Sequence, residues 1–217
     1  MSEMLIESLP LAHRLALSYA PRAARAPVLA LVALDQRLGA IVRGGGEPAI
    51  AQIKLAWWRE RLSEPRDRWP AGEPLLALLQ DWPGDTVPLA GLADGWEWML
   101  AEQLDSAAIE GFVEGRAAGW HALAQALASS AAASTLATAR QWVLADLLLH
   151  TYDDAETERV RAAREAEGRG TPRLPRALRP LAVLHALAGR ALDRGSRDLL
   201  DGSGALATAM RVGILGR

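Results

Sequence analysis

Residues 21–43 read PRAARAPVLALVALDQRLGAIVR and then stop on three consecutive glycines, Gly44, Gly45 and Gly46. A proline at the start, a long Ala- and Leu-rich run and a glycine stop together make a helix unit, because proline suits the first turn and glycine the residue past the last. The same punctuation recurs along the chain, and it restricts the fold more than any other feature. Ala and Leu dominate the composition, whereas the β-branched and aromatic residues that strands favour are scarce, with one Phe and two Tyr in 217 residues. An all-α fold follows. Helices are expected over 8–18, 21–43, 48–63, 75–80, 89–102, 106–128, 176–194 and 205–215, with Pro27 a competing start for the second. The strongest pattern runs over 136–152 and is expected to continue in charged form towards Glu167, before a break at 168–175. No internal repeat and no separate second core is visible, so one helical bundle accounts for the chain.

Composition narrows the chemistry. The chain has no cysteine, which removes disulfides, thiolate metal sites and thiol nucleophiles. A net charge of −2 and no basic stretch argue against nucleic acid as a partner. The first ten residues carry Glu3 and Glu7 with no preceding cation and do not read as a signal peptide. The apolar stretch 26–42 is interrupted by Asp35 and Arg37, so no transmembrane segment is expected. The chain reads as cytoplasmic, with peripheral contact at the inner membrane left open.

Hydrolase and P-loop signatures are absent, and the four histidines, His13, His121, His150 and His185, show no metal-ligand spacing. Gly202-Ser203-Gly204 reads as a helix start capped by Ser203. One polar constellation stands out. Asp146, His150, Asp153 and Asp154 lie at i, i+4, i+7 and i+8, which is one face if the helix persists. Carboxylates in such a row can hold Mg²⁺ against a diphosphate, and the competing reading is a solvated acidic face answered by Arg159 and Arg161. Trp57 and Trp58 are adjacent, so one is expected in the core and one at its border; Trp96 and Trp98 diverge in the same way.

Residues 21–43 and the segment Leu55-Ala56-Trp57-Trp58-Arg59-Glu60-Arg61-Leu62 resemble the squalene/phytoene synthase family. Pro21, Arg25, Ala30, Leu31, Ala33, Ile41 and Val42 match its first helix, and the Trp-Trp-Arg-Glu run is the most specific match. Weaker matches follow at 144–153, where Asp153 falls on the first acid of the family's second acidic motif, and at 175–195. The resemblance implies a single domain over 1–217 with the helical isoprenoid synthase fold and a central cavity. In such enzymes two acidic motifs hold Mg²⁺ and prenyl diphosphates. Here the first motif's acids are replaced by Gly39, Ala40 and Arg43, and Thr157 stands four residues after Asp153. The resemblance therefore implies a non-catalytic relative, similar to the motif-lacking branch that includes an assembly factor of mitochondrial respiratory complex I. It would bind an isoprenoid or lipid, or a membrane-protein assembly partner, with no metal cofactor. Two alternatives stand beside it: a divergent prenyltransferase using Mg²⁺ at Asp146, His150, Asp153 and Asp154, and a helical interaction module with no open cavity. The non-catalytic reading predicts an Arg43–Asp153 ion pair across the cavity mouth.

Overall fold

The computed structural model describes residues 2–168, 170 and 173–216. Among them there are eleven α-helices and no strand. In chain order these are α1 (Ser2–Ser8), α2 (Leu11–Ser18), α3 (Arg22–Arg43), α4 (Pro48–Ser63), α5 (Pro74–Leu79), α6 (Ala90–Glu97), α7 (Ser106–Ala126), α8 (Ala132–His150), α9 (Asp154–Ala166), α10 (Arg179–Asp193) and α11 (Ser203–Met210). No described helix is long and apolar enough to cross a membrane.

The helix starts follow local chemistry. Asp105 caps α7 by accepting from the Ala108 amide at 2.8 Å, and Pro48 occupies the first turn of α4. The helix α3 begins at Arg22 and runs unbroken through Pro27, which is buried in its second turn. The expected Ser203 cap is not formed: Gly202, at φ +67°, holds the cap position of α11, and Ser203 is the first helical residue. The expected break at 168–175 lies partly outside the described residues.

Packing runs through one continuous apolar cluster. The helix α7 lies between α6 and α8, and α10 covers the far side of α8. At the α6–α7 crossing the helices approach backbone to backbone. A Cβ at Gly115 would stand 2.4 Å from the Gly91 carbonyl oxygen and 2.5 Å from the Gly95 Cα, so two backbones meet where side chains would not fit. On α4, Leu55, Trp58 and Leu62 face the core, with Trp58 4 % exposed against 37 % for Trp57. Trp96 is buried and Trp98 exposed, the same division. Arg59 reaches across from α4 to α6, pairing with Asp94 at 2.5 Å and with Glu97. The Trp-Trp-Arg-Glu run is thus a packing unit: Trp58 anchors it and Arg59 ties it down.

The long charged helix expected beyond Tyr152 is two helices. After His150 the backbone turns extended at Thr151 and at Asp153, and α9 starts afresh at Asp154. The break is stabilised from both sides. Arg197 donates to the Leu149 and Thr151 carbonyls, both at 2.9 Å, and satisfies oxygens that a continuing helix would have used. Asp153 accepts from the Glu156 amide at 2.9 Å and is the cap of α9.

Candidate functional site

The polar centre of the bundle is built from residues far apart in the chain. Asp35 sits midway along α3 in an otherwise apolar stretch, Arg116 midway along α7, and Asp146 near the end of α8. Arg116 donates from Nε to Asp35 Oδ1 at 2.9 Å and from Nη2 to Asp35 Oδ2 at 2.7 Å. Its Nη1 donates to Asp146 Oδ2 at 2.8 Å. The Arg116 side chain is 1 % exposed. It is ringed by Trp142, Trp96 and Phe112, whose ring centres lie 4.8, 4.9 and 5.0 Å from its guanidinium carbon. Trp96 closes the network by donating from Nε1 to Asp35 Oδ1 at 2.8 Å.

Burial in a low-dielectric interior penalises each charge, and the arrangement answers it. Burial works against the Arg116 charge, but Asp35 and Asp146 more than compensate and raise its pKa. Burial alone would raise the Asp146 carboxyl; Arg116 outweighs it, with smaller help from His150 and His13, and holds the carboxyl below its ordinary value. His13, from α2, stands edge-on to Trp142 at 6.3 Å. Both of its ring nitrogens are buried with no hydrogen-bond partner among the described residues. Burial lowers its pKa against the pull of Asp146 and Asp35, so it stays neutral.

Above this network lies a pocket of about 380 Å³. It is lined by the buried Phe112, Trp96 and Leu147, by the half-buried Val42, Met99 and Asp146, and by the exposed Arg43, Trp98, His150, Tyr152 and Asp153. Four residues singled out in the sequence, Arg43, Asp146, His150 and Asp153, therefore do surround one space. They do not share a helix face. The break at Thr151 puts Asp153 at the head of α9, where its carboxylate is engaged by its own helix, and Asp154 does not line the pocket. His150 is exposed; its Nδ1 lies 2.7 Å from the Asp146 carbonyl oxygen and 3.6 Å from the Asp146 carboxylate.

The expected Arg43–Asp153 ion pair is not formed. Arg43 instead lies over the Trp96 ring, its guanidinium carbon 5.1 Å from the ring centre, a cation–π contact in place of the ion pair. A Cβ at Gly39 would stand 2.7 Å from Arg43 Nη1 and 2.8 Å from the Trp96 ring, so a side chain there would have to displace Arg43 from its place against the buried Trp96. Ala40 is exposed. Glycine at 39 and arginine at 43 form one packed unit with Trp96.

As a metal site the donor set does not fit. Asp146 is committed to Arg116, Asp153 caps α9, and a guanidinium stands where a third acid would be needed. Among the described residues no three His, Asp or Glu side chains converge as a metal-holding group.

Asp35 and Arg116 at the centre of the network, and His13 beside it, are not among the candidates read from the sequence. Asp35 did leave a signal, an acid inside an apolar helix, where a lone carboxylate needs a buried partner. Arg116 left little, since it is one of many arginines.

Residues 13–105, a little under half of the chain, match the family model for squalene/phytoene synthase. The match spans α3, the Trp-Trp-Arg-Glu helix and α6. No curated protein and no solved structure matches the chain.

Proposed function

We propose that this squalene/phytoene synthase-like chain is a non-catalytic binding protein, and that its pocket takes the apolar chain of an isoprenoid or lipid. The observation that carries the proposal is the Asp35–Arg116–Asp146 network. An enzyme of this fold needs inward-facing carboxylates free to hold metal ions that neutralise a diphosphate. Here the inward acids are neutralised by the protein's own cation. The place of a first-motif acid is taken by Arg43, which brings positive charge to the pocket rim directly. The aromatic and aliphatic lining above suits a hydrocarbon. An open pocket favours this reading over a helical module with a closed interior. The assembly-partner reading draws on the likeness to the motif-lacking branch and would use the same non-catalytic fold.

Tryptophan fluorescence tests the proposal, since Trp96 and Trp98 line the pocket. Titration with farnesol and with farnesyl diphosphate is expected to quench emission equally with Mg²⁺ and with chelator. Trp98→Ala is expected to weaken binding about tenfold, in keeping with loss of one aromatic contact. No quenching by either compound would overturn the binding assignment. Mg²⁺-dependent condensation of prenyl diphosphates, lost in Asp153→Ala, would overturn the non-catalytic one.

A further inference from the structure

A larger cleft, of about 850 Å³, opens on the opposite face of α8, between α9, α10 and the C-terminal segment. It shares no residue with the pocket described above. Gln141, Leu148 and Leu149 of α8 line it, whereas Asp146, Leu147 and His150 point the other way.

Its charge is unlike that of the chain. The whole sequence has 24 basic and 26 acidic residues. The cleft is lined by six arginines, Arg161, Arg164, Arg190, Arg194, Arg197 and Arg211, and by two acids, Glu165 and Asp193. Two of the six are paired with acids next to the cleft: Arg161 with Glu158 at 2.6 Å and Arg194 with Asp201 at 3.4 Å. Two others are held by backbone carbonyls, Arg190 by Asp201 at 2.7 Å and Arg197 by Leu149 and Thr151, the Arg197 guanidinium also lying over the Tyr152 ring at 4.2 Å, so that Arg190 is the carbonyl-held arginine left to the cleft. A carbonyl orients a guanidinium without neutralising it. The last two, Arg164 and Arg211, make no salt bridge and no side-chain hydrogen bond with a described residue. His185 lies in the same cleft, kept neutral first by burial and then by the Arg164 charge.

We propose that this cleft binds a phosphate group, as a phosphate or diphosphate ester. Pre-oriented arginines present planar forks that match phosphate oxygens, and several forks around one space suit a multiply charged anion better than a single carboxylate. The ester has two sources. One is a free phosphorylated molecule. The other is a lipid headgroup, which the neighbouring surface also suits: Leu206, Met210 and Ile214, at i, i+4 and i+8 on the segment that carries Arg211, are all exposed.

Calorimetry with inorganic pyrophosphate at low salt, and co-sedimentation with phosphatidylcholine vesicles with and without phosphatidic acid, test the site. Arg164→Gln/Arg211→Gln removes the two cations that pair with no described residue, and Arg68→Gln, at an exposed arginine outside the cleft, is the control. Unchanged thermal melts establish that each variant folds. At least a tenfold loss of pyrophosphate affinity in the double variant alone assigns a soluble phosphate ligand. Loss of phosphatidic acid-dependent sedimentation in the double variant alone assigns a headgroup. Absence of both bindings in the parent protein, or equal binding by the double variant, overturns the proposal. Trp98→Ala should leave these signals intact, which separates this cleft from the apolar pocket.

Discussion

Arg116 and Asp35, 81 residues apart, meet through two parallel N–H···O bonds of 2.9 and 2.7 Å in the centre of the bundle. The pair is bidentate, and the third bond to Asp146 uses the remaining terminal nitrogen. Removing the cation strands two carboxylates. Arg116→Leu is expected to cost about 3–5 kcal/mol, the usual scale for breaking a buried ion pair from one side. Arg116→Lys should recover little, because an ammonium cannot bridge two carboxylates with a fork. Replacing all three charged residues by apolar ones should be less damaging than Arg116→Leu alone. Urea unfolding followed by circular dichroism checks the order.

The pH dependence of stability follows from His13 and Asp146. The His13 pKa is lowered from 6.5 in the folded state. Below about pH 6.5 the unfolded chain takes up a proton that the folded one refuses, so stability is complete above that value and declines as pH falls. Burial of His185 adds a second decline of the same sign. The Asp146 carboxyl is lowered too, so its contribution is complete above the ordinary value of 3.8 and is lost progressively as pH falls below it. His13→Leu should flatten the decline between pH 7 and 5 without loss of stability at pH 8, because the imidazole it removes has no hydrogen-bond partner among the described residues. Thermal midpoints across pH 4.5–8 measure this.

At the α6–α7 crossing, Gly115→Ala would place a methyl 2.4 Å from a backbone oxygen that cannot rotate away. The helices must separate, at a cost of about 3 kcal/mol. Gly189→Ala, in a helix interior with open space around it, should instead stabilise by roughly 0.5–1 kcal/mol. The two variants carry the same chemical change with opposite signs, and denaturant midpoints distinguish them.

What could be read from the sequence was local. The α4 boundaries and the division between Trp57 and Trp58 follow from a proline start, a charged stop and the helical period. The division of the last long helix was also written locally: Asp153 with Glu156 three residues on is a cap signature. It was hidden because Thr-Tyr-Asp-Asp tolerates a helix, and the decisive partner, Arg197, lies 46 residues beyond Thr151. The buried network was illegible for the same reason. Its bonds span 81 and 30 residues, and no periodicity within α3, α7 or α8 reports on the other two. The Arg43–Asp153 pair follows from placing the two residues at the family's two acidic-motif positions, whereas the partner Arg43 takes is an aromatic face, that of Trp96.

A bundle made largely of Ala and Leu has a registration problem. Sliding one helix along another by a turn replaces small apolar contacts with others of nearly the same worth. The Arg116 guanidinium admits no such substitution. Its three bonds are satisfied only when α3, α7 and α8 stand at one axial setting, and each slipped arrangement leaves a buried charge without its counterpart. The network therefore acts as a dowel through three helices, selecting one alignment among many that the apolar surfaces alone would accept.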